Sequence, residues 1–532
     1  DHGGINDHGD HTLVRDCIFR DNFSGDHGAG LYIHHHSQTH AIGCLFERNV
    51  AVVKGGGAYS QSLHGAVIEQ CYFRENVADL GAGMYNAELS ATHIADCTFF
   101  GNFAHVGGGG VYTDVTTVTI AGCIFAENSA GIDQEGGGAG SGGSGGGGVW
   151  NTGGSAIVRD CIFTGNVASF GGGVYNIEDA ATLVQDCFFI RNQAREAGGL
   201  YSLSSPAVVR RCVFQENTAE NGVFAVGGGV SNYFSDSILT DCDFRGNRAT
   251  LGGGGLYNEG AFPSVSRCTF RGNSSVGIEN GTQGWGGAIL NGYHTTVSIS
   301  DCEMVGNAAR SGGAIFNLIF STVAISNCTM FANTSILEEF TYGGGGVYSY
   351  QGSNIALRNC IAWNNVPDQV GGIAIDAAHS SIQGGYAGQG NQSVAPQFVQ
   401  LPAPGKDLLW NTPDDDAGDL RLMPGSPCID AGANLAIGLT SFDVAGEPRF
   451  HDDPGTADTG VGASPMVDIG AHEFQGSSCL ADFNGDGLAN SQDFFDFLAA
   501  FFAVLPAADF NSDAFINSQD FFDFLAAFFS GC

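Results

Sequence analysis

The chain has 532 residues, 43% of them apolar, with 83 glycines, 39 phenylalanines and 16 cysteines. This content is enough for a packed core and excludes a wholly disordered protein, and the lack of an apolar run of about 18 residues predicts no membrane-spanning helix. The formal net charge of −36 argues against nucleic acid or an anionic membrane surface as a partner, because both are bound through clustered lysine and arginine.

One motif occurs thirteen times between Cys17 and Asn365: cysteine, any residue, an apolar residue that is usually phenylalanine, two variable residues and asparagine. A glycine cluster follows most copies and ends in an apolar residue, an aromatic residue and asparagine, as in GGGVYN. The cysteines are 25 to 27 residues apart in eight of the twelve intervals and 30 to 38 apart in the others. A period of this length indicates a solenoid of stacked repeats.

Each repeat is predicted to form one coil of a parallel β-helix. Cysteine and phenylalanine share one face at the period of a strand, so we expect both to point inward and the residue between them to point outward. Coils stacked about 4.8 Å apart would then bury a column of phenylalanine and a column of free thiols. We expect each asparagine to donate its side-chain amide along the stack, and the glycines to supply bends with positive φ. The sequence therefore predicts a mainly β fold, a β-solenoid of about 13 coils roughly 60 Å long.

Four intervals are longer because residues are inserted between the asparagine and the glycine cluster, after Asn128, Asn217, Asn273 and Asn333. Insertions along one edge of a solenoid form a wall or a cleft, although surface loops also tolerate growth without any function. A polysaccharide is the ligand that we would expect in such a cleft, since the insertions contain both acidic and aromatic side chains. These are Asp133, Glu135, Glu279, Trp285, Glu338, Glu339 and Tyr342.

The N-terminal repeats have two further features. Gly3 to Asp7 matches the second half of a coil, so we expect either further coils before it or an exposed edge that contacts another molecule. Eight of the 15 histidines lie in the first 40 residues. Two interpretations are possible for a group of residues on two adjacent coils: a zinc or copper site, or an ordinary polar surface. The group consists of Asp7, His8, Asp10, His11, His34, His35 and His36.

The CxFxxN…GGG pattern of residues 1–395 resembles the polymorphic outer-membrane protein repeats and related right-handed β-helices of bacterial surface proteins. Residues 396–476 contain DLRLMPGSPCIDAG, FDVAGEPRF and VDIGAHEF, which resemble the segment that closes many such secreted helices near an anchor. The resemblance implies a right-handed parallel β-helix and a secreted or cell-surface location. It identifies the architecture better than the activity, since this fold class includes lyases, glycosidases, adhesins and fibre proteins.

Residues 477–532 form a third region, and from Gln475 onward there are eight aspartates and no lysine, arginine or glutamate. One unit begins at Ala481 and again at Ala508, and each copy has the spacing of a calcium loop followed by a helix-like segment. This spacing surrounds one point with the oxygen ligands that calcium requires. The predicted ligands are Asp482, Asn484, Asp486, the Leu488 carbonyl, Asn490 and Asp493 in the first loop, and Asp509, Asn511, Asp513, the Phe515 carbonyl, Asn517 and Asp520 in the second.

The doubled unit resembles a type I dockerin, with aspartate at the twelfth loop position. The sixth position is Gly487 in the first loop but Ala514 in the second, which makes the second calcium site a departure from the pattern. Cys479 and Cys532 bracket the unit, and both a disulfide and free thiols remain open for them. The FFDFLAAFF helices are apolar nearly all round, so something else must cover them: the adjacent solenoid, a cohesin-like receptor or another copy of the chain. We take these helices as an indication of a protein partner.

No nucleophile elbow, zincin or P-loop pattern occurs, and no catalytic residue is assigned. Asp160 and Asp186 precede cysteines of adjacent coils and could form a carboxylate pair, but aspartate recurs at this position, which favours a structural role. The predicted function is that of a secreted or cell-surface structural or adhesive protein, attached or assembled head to tail into filaments through its calcium-binding end. The alternative is a carbohydrate-active enzyme, a polysaccharide lyase or glycoside hydrolase of the pectate-lyase-like class, that carries a dockerin.

Overall fold

The computed structural model describes residues 4–8, 11–34, 37–87, 90–131, 144–222, 224–275, 277, 284–336, 343–436, 438–476, 481, 483–484, 490–511 and 515–530. Four long sheets, A to D, dominate it, and the chain passes through all four in turn to complete one coil. Each strand pairs in parallel with the strands one coil before and after it, as Phe19 does with Phe46. This arrangement confirms the predicted parallel β-solenoid.

Sheets A, B and C each contain 14 strands and sheet D contains 12 in the described part of the chain. Sheet A consists of Ile5–Asp7, Leu31–Ile33, Ala58–Ser60, Met84–Asn86, Val111–Asp114, Val149–Thr152, Val174–Ile177, Leu200–Leu203, Val230–Tyr233, Leu256–Glu259, Ile289–Asn291, Ile315–Asn317, Val347–Ser349 and Val370–Gly372. Sheet B consists of Thr12–Arg15, Thr39–Ile42, Val67–Glu69, His93–Ala95, Thr117–Ala121, Ser155–Arg159, Ala181–Gln185, Ala207–Arg210, Ile238–Thr240, Ser264–Ser266, Thr296–Ser300, Thr322–Ser326, Asn354–Arg358 and Ile375–Ala378.

The motif cysteines directly precede the strands of sheet C. Sheet C consists of Ile18–Arg20, Leu45–Glu47, Tyr72–Arg74, Thr98–Phe100, Ile124–Ala126, Ile162–Thr164, Phe188–Ile190, Val213–Gln215, Asp243–Arg245, Thr269–Arg271, Glu303–Val305, Thr329–Phe331, Ile361–Trp363 and Ser381–Ile382. Sheet D consists of Phe23–Ser24, Val50–Ala51, Val77–Leu80, Phe103–Gly107, Ser129–Ala130, Val167–Phe170, Gln193–Glu196, Thr218–Ala219, Arg248–Ala249, Ser274–Ser275, Ala308–Ala309 and Thr334–Ser335.

The core contains the predicted columns. Phenylalanine rings from Phe19 to Phe270 stack along the axis with centroids 4.5 to 4.9 Å apart and planes within 10° of parallel. All thirteen motif cysteines are free thiols, and all except the partly buried Cys17 are buried. The thiols are confirmed as a column of small buried side chains, which takes the place of a disulfide framework in this part of the fold.

The motif asparagines form one unbroken ladder. The Asn49 amide nitrogen, for example, donates to the Asn76 side-chain oxygen and to the Phe19 carbonyl, each at 2.9 Å. The same contact links every successive pair of motif asparagines as far as Asn365, whose amide instead donates to the Gln369 side-chain oxygen at 2.7 Å. The ladder satisfies backbone carbonyls at the bend and confirms the predicted role of these residues.

The residue before each motif cysteine lies in the left-handed region, with φ between 49° and 65°. Aspartate recurs there because its short polar side chain tolerates this backbone conformation better than most side chains do. Its carboxylate also pairs with arginine: Arg211 donates to Asp186 at 2.7 and 2.8 Å, and Arg159 donates to Asp160 at 2.8 Å. The recurrence of aspartate therefore has a structural explanation.

The closing region packs against the outward face of the last coils. Val305, Phe331 and Ile361 point outward from sheet C, and all three are buried under this region. Their covering cluster includes residues of a small antiparallel pair, Phe398–Gln400 with Asp419–Leu422. Sheet C is thus sandwiched at this end between the solenoid core and the closing region.

The C-terminal region contains two helices, α1 (Ser491–Phe502) and α2 (Ser518–Ser530), joined through a 3₁₀ turn at Pro506–Ala508. Phe497 of α1 stacks on Phe524 of α2 with ring centroids 4.0 Å apart, and both side chains are fully buried. In the described part of the chain, neither helix has the length and apolarity that a bilayer crossing requires.

Candidate functional site

The first loop-helix unit is organised around Asp493, the predicted twelfth ligand. Its carboxylate is fully buried at the start of α1 and accepts the N–H groups of Asn484 at 3.1 Å and Asn490 at 2.8 Å. Asn490 is also the N-cap of α1, because its side-chain oxygen accepts the Gln492 N–H at 2.7 Å. Three predicted ligands, at positions 3, 9 and 12, are therefore brought together.

The second unit repeats this arrangement around Asp520, which is also fully buried. Its carboxylate accepts the N–H groups of Phe510 and Asn517 at 2.8 Å and of Asn511 at 3.2 Å. The Asn517 N–H, and to a smaller extent those of Asn511 and Phe510, hold the pKa of Asp520 below its usual value. The carboxylate is thus kept in the ionised form that a metal ion binds.

Eight of the twelve predicted calcium ligands lie in the described part of the chain, and they include Asp509 and the Phe515 carbonyl. Asp493 accepts N–H groups from the third and ninth positions of the first loop, and Asp520 accepts them from the second, third and ninth positions of the second. The residues outside the described part are Asp482, Asp486, Leu488 and Asp513, together with Gly487, Ala514, Cys479 and Cys532. Their predicted roles stay predictions.

The helix pair also exposes large aromatic side chains at equivalent positions. Phe495 and Phe502 of α1 are 61% and 77% exposed, and Phe522 and Phe529 of α2 are 61% and 80% exposed. Each residue of α2 lies 27 positions after its counterpart in α1, so the duplication gives the pair two similar apolar surfaces. Burying a phenylalanine is worth about 1.5–3 kcal/mol, which makes these surfaces favourable for contact with another protein.

A buried charge cluster joins the closing region to the solenoid. Arg449 is completely buried and donates to Asp301 of the solenoid at 2.8 Å and to Glu473 at 3.3 Å. It also donates to the Gly470 and Ala471 carbonyls at 3.1 and 2.7 Å. Burial raises the pKa of both carboxyl groups while Arg449 opposes the increase. The cluster therefore depends on the arginine for its charge balance.

A cleft of about 430 Å³ opens beside this cluster and is lined in part by Arg421, Glu447 and His472. His472 contacts Glu303 of the solenoid at 3.1 Å, and Arg271 donates to the same carboxylate at 2.6 Å. The side chain of His472, which lines the cleft, thus joins the closing region to Glu303 of sheet C.

The insertions that were predicted to form a glycan-binding cleft are only partly described. Trp285 is half-buried and stacks against Phe316 with ring centroids 5.7 Å apart, so its indole packs on the fold. The remaining predicted residues lie outside the described part: Asp133, Glu135, Glu279, Glu338, Glu339 and Tyr342.

One buried carboxyl on this flank was missed by sequence reasoning. Glu196 is 4% exposed, and its burial together with the charge of Glu259 raises its pKa to about 8 against an opposing effect of Tyr201. Burial thus favours the neutral form of this carboxyl group. Its surroundings are buried tyrosines, and no repeat pattern marks its position.

At the N-terminal histidines, the described contacts are those of a structural turn. The Asp7 carboxylate accepts the hydroxyls of Thr12 at 2.8 Å and Thr39 at 2.6 Å, and the His8 ring lies 4.2 Å from the His34 ring. Asp10, His35 and His36 lie outside the described part. Among the described residues, one group alone brings three metal-ligating side chains together, and it lies elsewhere: Asp430, Asp452 and Asp458 of the closing region.

These features define a parallel β-solenoid protein with a closing region packed on one sheet and a duplicated helical unit at its C-terminal end. Residues 3–142 and 137–270, together just over half of the chain, match the family described as the right-handed β-helix region. The chain belongs to this family. Among curated proteins, no match was found.

Proposed function

We propose that this protein is an extracellular or cell-surface structural or adhesive β-helix protein, attached or assembled through a calcium-binding, dockerin-like helix pair. The observation that carries the proposal is the repetition of one arrangement: Asp493 and Asp520 are both buried at a helix start, and both accept N–H groups from the loop before them. Such loops are suited to placing further oxygen ligands around the same carboxylate.

Calcium fits the donor set of the two loops. The described ligands are carboxylate, amide and carbonyl oxygens, with neither nitrogen nor sulfur donors among the predicted positions. Hard cations prefer such oxygens, and calcium accepts six to eight of them at variable angles. When bound, the ion would neutralise loop carboxylates and tie each loop to its helix. The arrangement of the exposed aromatic side chains on the two helices would therefore depend on calcium.

The solenoid supports a structural role in the proposal. Its interior is filled by stacked side chains, and its recurring aspartates are engaged with arginines or in tight turns. A rod of this kind keeps its two ends at a fixed distance, and an apolar helix pair at one end would link it to a receptor or to another copy. Association between different surfaces of identical chains builds filaments.

The test is sizing and imaging of the purified chain with calcium and with chelator, together with capture on an immobilised cohesin domain. We expect larger assemblies or cohesin binding with calcium, and loss of both with chelator. Replacing both Phe495 and Phe522 with serine should abolish the association, because each substitution removes exposed apolar surface from one half of the duplicated unit.

The matched control is Phe188→Ser, which alters a phenylalanine that is 46% exposed on the solenoid. This variant should associate like the original chain. A chain that stays monomeric under both conditions and does not bind cohesin would contradict the proposal. Turnover of a polysaccharide would instead favour the alternative function, a carbohydrate-active enzyme.

A further inference from the structure

Three aspartates of the closing region converge on one point. Asp430 belongs to the buried part of this region, while Asp452 and Asp458 lie in the segment 451–460. One carboxylate oxygen of each lies within 4.8 Å of the others, a spacing that allows all three to contact a single ion. The helix pair plays no part in this site.

Asp430 has a buried side-chain oxygen without a hydrogen-bond partner in the described part of the chain. The residue is fully buried, and its Oδ2 accepts the Asp453 N–H at 3.3 Å. Its Oδ1 is also buried, and no hydrogen-bond donor in the described part of the chain reaches it. Burying a carboxylate oxygen without a hydrogen-bond partner or a cation lowers the stability of a fold, whereas an exposed oxygen can bind water. A native structure is therefore expected to supply a partner for the buried oxygen. The neighbouring groups are two further carboxylates, which cannot donate a hydrogen bond when ionised.

The backbone fixes the segment over Asp430. Thr459 and Gly460 donate their N–H groups to the Asp430 carbonyl at 2.9 and 3.0 Å. Asp453 in turn accepts the Thr456 hydroxyl at 2.7 Å, which closes the turn between Asp452 and Asp458. The segment that carries Asp452 and Asp458 is thus tied to Asp430 by main-chain N–H groups of Asp453, Thr459 and Gly460.

The electrostatics of the cluster are unfavourable without a cation. Burial and the charges of Asp452, Asp458 and Asp453 together raise the pKa of Asp430 to about 6, although the Asp453 N–H opposes the increase. A bound divalent cation would reverse this effect, because its charge stabilises the ionised form of each carboxylate.

We propose that Asp430, Asp452 and Asp458 form a calcium site that fastens the segment 451–460 to the closing region. Asp452 and Asp458 are exposed, so water can complete the coordination shell on the outer side. Calcium is favoured over magnesium because it accepts irregular sets of six to eight oxygens, whereas magnesium requires near-octahedral geometry.

The experiment is hydrogen–deuterium exchange on the full chain, read on peptides that cover residues 451–460. The Asp453, Thr459 and Gly460 amides donate to Asp430, so they report directly on the site. At free calcium ten times the dissociation constant, their exchange should slow by about tenfold. An equal concentration of magnesium should give a smaller effect.

The exposed variant Asp458→Asn should lose the calcium response without unfolding the region, and Asp430→Asn should lose it as well. The control is Asp179→Asn, an exposed aspartate of the solenoid, which should respond like the original chain. Exchange that does not change with calcium, or that slows equally in Asp458→Asn, would overturn the proposal. The helix pair is covered by separate peptides. If calcium did not slow exchange in the helix pair, the result for residues 451–460 would still stand.

Discussion

Replacing Asn192 with alanine should lower the free energy of unfolding by roughly 3–5 kcal/mol, an unusually large effect for one residue. Asn192 is fully buried in the middle of the ladder and donates to the Phe163 carbonyl at 2.9 Å and to the Asn217 side chain at 3.0 Å. Its own side-chain oxygen accepts the N–H and the amide of Asn166. Alanine would leave several of these groups buried and unpaired, at about 1–3 kcal/mol each.

The effect is best measured by denaturant unfolding together with hydrogen exchange, because contacts between neighbouring coils dominate the stability of a solenoid. The control is Asn354→Ala, since Asn354 is an exposed asparagine on sheet B. That variant should change the free energy of unfolding by no more than about 0.5 kcal/mol. If both variants were equally stable, the ladder would not be a major source of stability.

Replacing Arg449 with methionine should destabilise the contact between the closing region and the solenoid by about 3–5 kcal/mol. Methionine keeps much of the side-chain volume but removes all four donated hydrogen bonds, including those to Asp301 and Glu473. Two buried acidic groups would then remain without their cation. Breaking a buried ion pair in this way costs much more than breaking an exposed one.

Limited proteolysis measures this change, with cleavage within residues 396–476 as the readout. The variant should be cleaved roughly a hundred to several thousand times faster if cleavage follows the population of the opened state, since each 1.4 kcal/mol changes that population about tenfold. The control, Arg421→Met, removes an arginine that is 66% exposed and pairs with Asp419. It should be cleaved at nearly the original rate, and equal protection in the Arg449 variant would contradict the role assigned to the cluster.

The repeating part of the fold could be predicted because every coil has the same sequence pattern and the same arrangement of strands. Phenylalanine, cysteine and asparagine recur at fixed offsets, so one strand pattern defined the inward columns of Phe46, Cys44 and Asn49 and their equivalents. The turn before each cysteine could be anticipated less well. Aspartate there reflects a positive φ, which a sequence pattern does not report.

The closing region could not be predicted to the same depth. Its contacts join residues far apart in the chain, such as Arg449 with Asp301, 148 positions away, and no repeat relates them. The Asp430 cluster was missed for the same reason, since its members come from a non-repeating segment. Asp493 and Asp520, in contrast, occupy equivalent positions of a duplicated unit, which made their shared role visible in the sequence.

The most direct test of the proposed attachment module is a count of bound calcium by equilibrium dialysis of the full chain. The comparison is between the original chain and a variant with both Asp493→Asn and Asp520→Asn, which keeps the size of both side chains. The account predicts that the variant binds two fewer ions while its solenoid unfolds at the original denaturant concentration. An unchanged number of bound ions would contradict it.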